Sequence, residues 1–283
     1  MSTVVPIELA EQTEIRAYVD FVTGAPAPVW EALGIGSLRV GAALALAIRE
    51  DPSRFFNKAG GFGADGPITE DVVAQVCEFY REQGVPQGAF MVAPPLLPQD
   101  WASIAAKRNL TEGGRLAKLG CEVDALVGSA DGIAALDPDL RVGPVERHHA
   151  LEWATVMMTT FGFTAPFMIE MAAACVGRPN WRQYAVWEGE RIIAIGSIFV
   201  NGDCADMFGG RRSRRAAAAA PSRRCSPPAP GRPRTQGADG SSPRPVPKRP
   251  ASTTPRSTTC CAPGSSRCTR GSPGSGAHSR ACR

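Results

Sequence analysis

The sequence predicts an α+β protein: a mixed or antiparallel sheet flanked by helices, followed by a tail with no fold of its own. Three observations predict it. Composition breaks at residue 211: the chain of 283 residues carries 31 Lys+Arg and 27 Asp+Glu, yet residues 211–283 hold 15 Arg and 1 Lys against a single acid, Asp239. That leaves a net charge of −11 on residues 1–210 and +15 on the tail. Helical patterns and short apolar runs alternate in residues 1–132. Within residues 140–208 a strand, two helices and three further strands follow one another.

The tail contains no Leu, Ile, Met, Phe, Tyr or Trp, one Val (Val246) and 12 of the 25 prolines. A segment without large apolar side chains cannot offset the entropy of ordering its backbone. It is expected to be disordered, or helical only over the alanines 216–220. The expected organisation is one unit over residues 1–135, a second over 136–210, and the tail over 211–283. The N-terminus carries acids where a secretory signal needs basic residues. The most apolar run, residues 40–48 (VGAALALAI), falls far short of the roughly 20 residues of a membrane span. A cytoplasmic protein without a membrane partner is expected. Cys77, Cys121, Cys175 and Cys204 stand far apart, with no CxxC and no His at ligand spacing. They read as reduced, buried small side chains, with neither metal nor disulfide.

Each element has its own signal. Residues 8–21 place Leu9, Ile15, Val19 and Phe21 among charges, an amphipathic helix. A second helical stretch is expected from about Ser37 to Asp51-Pro52. Thr69 caps a third helix, with Glu70 and Asp71 in its first turn and Gly84 after its last. Residues 88–93 (GAFMVA), stopped by Pro94-Pro95, read as a buried strand, and Asp100 caps a helix over residues 101–107. Residues 140–146 (LRVGPVE) alternate as a strand does. Residues 149–161 and 166–175 are two helices, the latter with Pro166 in its first turn. Three strands follow, at 183–187, 192–200 and 204–208. Glu188-Gly189-Glu190 and Asn201-Gly202-Asp203 turn between them, the second an Asn-Gly hairpin signal.

Residues 61–66 (GFGADG) fit GxGxxG. A dinucleotide site needs a strand before this motif and a helix directly after it. Residues 51–60 (DPSRFFNKAG) carry no strand pattern, so a plain glycine-rich loop is expected. Adjacent His148 and His149 point about 100° apart on a helix and cannot share a metal. Met157, Met158, Met168 and Met171 recur at helical spacing and read as core.

The stretch VGPVE, two helices, then WRQYAVWEGERIIAIGSIFVNGDCADMFGG resembles the first half of an acyltransferase domain of the GNAT superfamily, over residues 141–210. The N-terminal half (FFNKAGGFG, FYREQGV, VAP) resembles a degenerate copy of the same fold, as in tandem proteins of that superfamily. The resemblance implies acetyl-CoA as cosubstrate, an amine as acceptor and no metal. In that family the fourth strand runs into a loop of the form R/Q-x-x-G-x-G/A, which opens a helix and holds the pyrophosphate on backbone N–H groups. By resemblance, the backbone of Met207, Phe208 and Gly209 would face the acyl-CoA. Asp206 is the candidate proton acceptor for the amine, and Asp203 the second candidate.

The loop itself is absent: RRSRRAAAAAPSRRC stands in its place. The tail has the composition of GC-rich DNA read out of frame. Codons permitted for residues 211–226, read one base earlier, give ATLPAGRGRGAQSALL, which contains the missing loop. The same shift over residues 251–270 permits GEHNPSLHNMLRAGFEPLYA, which resembles the family's later helix and Tyr-bearing strand. Wobble bases are free in this exercise, but the first two bases constrain it: Thr can become only Asn, His, Asp or Tyr. A frameshift near residues 209–211 therefore accounts for the charge break, and with it the C-terminal half of the second unit is lost. The function expected is an acyl-CoA-dependent N-acyltransferase, inactive or impaired in this frame because the acetyl-CoA loop is lost. The alternative is a non-catalytic interaction protein whose basic tail binds anions. Nucleic acid would bind only non-specifically, because the tail has no aromatic side chain to stack on bases.

Overall fold

The structure is a computed structural model that describes residues 5–123, 137–212, 258–260 and 267–269. The first half begins with α1 (Ile7–Thr23) and α2 (Ala27–Leu33). The antiparallel strands β1 (Ile35–Val40), β2 (Ala43–Ile48) and β3 (Lys58–Gly60) follow. After α3 (Glu70–Glu82), β4 (Ala89–Phe90) pairs with β3 in parallel. A short turn of 3₁₀ helix, α4 (Trp101–Lys107) and β5 (Arg115–Ala117) complete it. The second half starts with β6 (Leu140–Pro144), α5 (Ala150–Phe161) and α6 (Pro166–Ala173). Its meander is β7 (Trp181–Glu188), β8 (Arg191–Asn201) and β9 (Cys204–Arg212). Two tail strands, β10 (Thr258–Cys260) and β11 (Arg267–Thr269), pair antiparallel with β9 and β5. The fold is thus α+β, with one mixed sheet, one antiparallel sheet and flanking helices.

Most elements stand where the sequence puts them. Thr69 caps α3, its Oγ1 accepting from the N–H of Val72 at 3.3 Å. The four methionines of α5 and α6 are buried in the core. The helix expected from Ser37 to Pro52 is instead the β1–β2 hairpin. Leu44, Leu46 and Ile48 alternate with Ala43, Ala45 and Ala47, and the two sets pack into different hydrophobic clusters. That period of two is a strand's, and it outweighs the helical propensity of alanine. All three two-residue hairpin loops begin with a glycine at positive φ: Gly41 (58°), Gly189 (58°) and Gly202 (60°). The β8–β9 loop is therefore Gly202-Asp203, closed by the pair Asn201–Cys204, and not an Asn-Gly turn.

Two further expectations are corrected. The tail is not irregular throughout, because Thr258, Thr259 and Cys260 pair with Met207, Asp206 and Ala205 at the edge of β9. A strand edge needs only backbone partners, which a segment without large apolar side chains can still supply. The alanines 216–220 lie outside the described residues. Cys121 and Cys175 are free thiols, but Cys77 and Cys204 are disulfide-bonded. No cysteine of the sequence stands in a diagnostic spacing, and a disulfide between residues remote in sequence leaves no local signal.

The elements stack in layers. Ala43, Ala45, Ala47 and Ala59 face α3 and α4, packing under Val73, Val76, Tyr80 and Ile104. The opposite face of the same sheet, with Leu46 and Ile48, meets a central layer of α1, α2, α5 and α6. The far side of that layer receives the inner face of the second sheet, including Trp181, Trp187, Phe199 and Phe208. Helix α1 touches both sheets and carries Tyr18 and Phe21 into the ring cluster of Phe208 and Trp181. Asp20 accepts from Trp181 Nε1 at 2.6 Å and pairs with Arg178 at 3.0 Å. One core therefore spans both halves. No helix among the described residues is long and apolar enough to cross a membrane.

Candidate functional site

The two halves repeat one motif: two helices, then a three-stranded antiparallel meander. Only the first continues, within the described residues, into a glycine-rich loop, a helix and a parallel strand. The GxGxxG segment does follow a strand, β3, contrary to the sequence reading. A three-residue strand is too short to show alternation, and Lys58 interrupts its apolar pattern. Gly61, Gly63 and Gly66 all take positive φ. Gln12 of α1 holds the loop, its Nε2 donating to the carbonyls of Gly61 (2.5 Å) and Ala42 (2.6 Å). Phe62 stacks on Phe90 of β4, with ring centroids 5.7 Å apart. Among the described residues the N–H groups from Phe62 to Gly66 have no hydrogen-bond acceptor.

This backbone has the shape of an anion cradle, but its charge is wrong for one. Asp65 lies in the loop, where its Oδ2 accepts from the Ala42 N–H at 2.7 Å. Glu70 and Asp71 occupy the first turn of α3, where a phosphate would meet the helix dipole. The nearby cations, Lys107 and Arg108, are already paired with Glu70 at 2.7 and 3.2 Å. Their hydrogen bonds, that of Lys107 foremost, hold the Glu70 carboxyl below its ordinary range. Three carboxylates around an empty-handed cradle repel a pyrophosphate, so the first half does not fit acetyl-CoA.

The second half carries the residues singled out from the sequence, and strand geometry separates them. Asp203 is exposed at the hairpin tip. Asp206 is 1% exposed and shares a face of β9 with Phe208. Phe208 lies in the ring cluster, with its carbonyl accepting from Ser197 Oγ at 2.7 Å. Met207 points the other way and is 44% exposed. Gly209, at φ 66°, sits where the β8–β9 register shifts between Ile195 and Ser197, and Met157 fills the space where a side chain would stand. At roughly 3.3 Å per residue, Asp203 and Gly209 lie about 20 Å apart, at opposite ends of one strand segment. The loop expected after Gly210 lies outside the described residues beyond Arg212.

Sequence reasoning missed two buried charged groups. Lys58 of β3 sets its Nζ against the rings of Tyr18 and Phe55, 3.7 and 3.6 Å from their centroids. Burial drives its amine well below the ordinary lysine range, with Asp51 pulling the other way. Lys118 joins Glu11 at 2.6 Å and Glu14 at 2.9 Å, all three nearly inaccessible. The buried face of α1 thus includes charges that a simple apolar-stripe reading assigns to solvent. The rings of His148 and His149 lie 4.1 Å apart, tilted by 44°, at the entry to α5, and His149 lies 3.4 Å from Glu152. Cys175 is buried, which pushes its thiol up to about 12.

Comparison with known proteins places this fold. The chain is similar to a GCN5-related N-acetyltransferase from Kribbella flavida, at 10% identity over 75% of each chain with a TM-score of 0.50. It is also similar to a conserved protein of unknown function from Staphylococcus epidermidis, at 10% identity, covering 66% of this chain and 76% of that one, with a TM-score of 0.40. A C-terminal DUF2156 domain from Agrobacterium fabrum aligns at 16% identity, covering 66% of this chain and 64% of that one, with a TM-score of 0.32. No family model and no curated sequence matches the chain. The first of these likenesses shows the fold class: an α+β fold like that of the Kribbella flavida protein.

Proposed function

We propose that the chain descends from an acyl-CoA-dependent N-acyltransferase with two GNAT-like halves, of which the second is the acyl-CoA half. One observation carries the reading. The motif of two helices and a meander occurs twice, and the copy that keeps its glycine loop has filled the phosphate position with Asp65, Glu70 and Asp71. The loop with basic and glycine residues, R-G-x-G-A, belongs to the other copy, in the alternative frame directly after β9. In the present frame the chain lacks it and is inactive. Asp206 would take the proton of the acceptor ammonium; Asp203, at the exposed hairpin tip, is too distant from Gly209 for that work.

The test compares the chain in its present frame with a frame-restored chain. A site filled to about 100 times its dissociation constant adds about 2.7 kcal/mol of stability. For a chain of this size that raises the melting temperature by roughly 5–11 °C. Acetyl-CoA should raise Tm in the restored chain and leave the present one unmoved, and only the restored chain should release thiol with a panel of amines. Asp206→Asn in the restored chain should keep the Tm rise and lose at least tenfold in thiol release. Thiol release by the chain in its present frame refutes the reading.

A further inference from the structure

The bonded cysteines of the body have their partners outside it. The sequence has nine cysteines: Cys77, Cys121, Cys175 and Cys204 in the body, and Cys225, Cys260, Cys261, Cys268 and Cys282 in the tail. Cys121 and Cys175 are free, whereas Cys77 and Cys204 are bonded. These two are not bonded to each other. Cys77 lies on α3 and packs with Val73, Val76, Ala45 and Ala47, on the α3 side of the first sheet. Cys204 opens β9 and packs with Val5, next to Ala10 of α1, and α1 lies on the other side of that sheet. A disulfide holds its two Cβ atoms about 3.5–4.5 Å apart, and residues that close fall in one contact cluster. Within one chain, each of the two sulfurs therefore has its partner in the tail.

Strand register narrows the partner of Cys204. Thr258, Thr259 and Cys260 of β10 lie opposite Met207, Asp206 and Ala205. One further step along the same antiparallel register puts position 261 opposite Cys204. Residues directly opposite in an antiparallel pair have Cα atoms about 4.5–5.5 Å apart, inside the roughly 4.4–6.8 Å that a disulfide spans. Cross-strand partners share a face and neighbours along a strand alternate, so position 261, and not 260, shares the face of Cys204. Charge favours the same arrangement, because a tail of +15 meets a body of −11. A ladder of three residues is marginal on its own, so a covalent link at its end decides whether β10 stays on β9.

We propose that Cys204 is bonded to Cys261 and Cys77 to another cysteine of the tail, and that the two bonds form a redox strap fastening the basic tail to the acidic body. As each bond forms, two thiols lose two protons and two electrons to a disulfide oxidant such as oxidised glutathione, which leaves as two molecules of reduced glutathione. A dithiol such as dithiothreitol reverses the step by thiol–disulfide exchange and becomes a cyclic disulfide. Opening the strap frees β10 from the edge of β9. The strap belongs to the chain in its present frame and does not depend on acetyl-CoA binding.

Two measurements test it. The full chain is refolded with oxidised glutathione, its free thiols are alkylated, and a tryptic digest without reductant is read by mass spectrometry. Residues 192–211, which carry Cys204, should appear joined to residues 257–267, which carry Cys260 and Cys261. Residues 59–81, which carry Cys77, should appear joined to a tail peptide. Cys261→Ser should lower the first link at least tenfold, and Cys260→Ser should keep it. A link between residues 59–81 and 192–211, an alkylated Cys77 or Cys204, a disulfide-linked dimer, or a first link that survives Cys261→Ser overturns the assignment. Hydrogen exchange then reads the strap in the unsubstituted chain, which keeps the test open should a variant fail to fold. Dithiothreitol should speed exchange within residues 258–260 at least tenfold while α1 and β8 stay protected. Exchange that is the same with and without reductant overturns the strap.

Discussion

Replacing Phe208 by Ala should destabilise both halves at once. The ring lies 4.9 Å from Phe21, 5.2 Å from Tyr18 and 5.3 Å from Trp181, centroid to centroid. Two of those partners belong to α1 of the first half and one to β7 of the second. Truncating a buried Phe to Ala costs about 3–5 kcal/mol, and each ring pair adds about 0.5–1.5 kcal/mol beyond its buried area. The upper part of that range is expected, because three ring partners are lost and the α1–β9 contact leaves a cavity that the backbone cannot close. At roughly 2–4 °C per kcal/mol, Tm should fall by about 8–20 °C. The adjacent Met207→Ala, on the exposed face of the same strand, should change stability by no more than about 0.5 kcal/mol. Urea denaturation, followed by tryptophan fluorescence and by far-ultraviolet circular dichroism, measures both. Coincident transitions that shift together support one core shared by the halves. Two separated transitions of which only one moves, or a loss below about 1 kcal/mol, would refute it.

Two further substitutions test the buried charges. Lys58→Met should raise stability, since burial in the folded chain lowers the lysine pKa and so disfavours the ammonium that the unfolded chain carries. Stability of the unsubstituted protein then rises with pH towards the ordinary lysine value, by about 1.4 kcal/mol per unit inside that window, and is lost as pH falls. Urea midpoints at pH 7, 8 and 9 should converge for the two proteins, and parallel lines would show that Lys58 does not titrate between the states. Lys118→Met leaves Glu11 and Glu14 buried without their ammonium and should cost about 3–5 kcal/mol; the triple substitution that adds Glu11→Gln and Glu14→Gln should recover most of it, and failure to recover would place the cost in packing.

What was legible in the sequence follows from which interactions are local. Thr69 and the acids of the first turn of α3 mark a helix start through bonds made within four residues. Gly189 and Gly202 mark hairpins because their backbone takes a conformation other residues avoid. The β1–β2 hairpin was misread because both faces of β2 are apolar, large side chains on one and alanines on the other. Its alternation is one of size and not of polarity. Glu11 and Glu14 fall among the charges of the amphipathic pattern because their partner lies across the fold: Lys118 is 107 residues from Glu11 in sequence. The expected cofactor positions on β9 were placed by resemblance alone, and the pleat sends Phe208 into the core and Met207 out of it.

The charges at the start of α3 let the first half hold its glycine loop and helix without an external anion. A helix that opens from a glycine loop presents N–H groups that need negative charge. A bound phosphate supplies it from outside; Glu70 and Asp71 supply it from within α3, and Asp65 ties the loop to the β1–β2 hairpin. These two solutions exclude one another, because a carboxylate that stabilises the helix start repels the pyrophosphate that would take its place. The first half has the internal solution, and its sheet is covered and its helix capped without a ligand. The second half has no acid after Asp206 until Asp239, so the segment that follows β9 carries no such internal carboxylates.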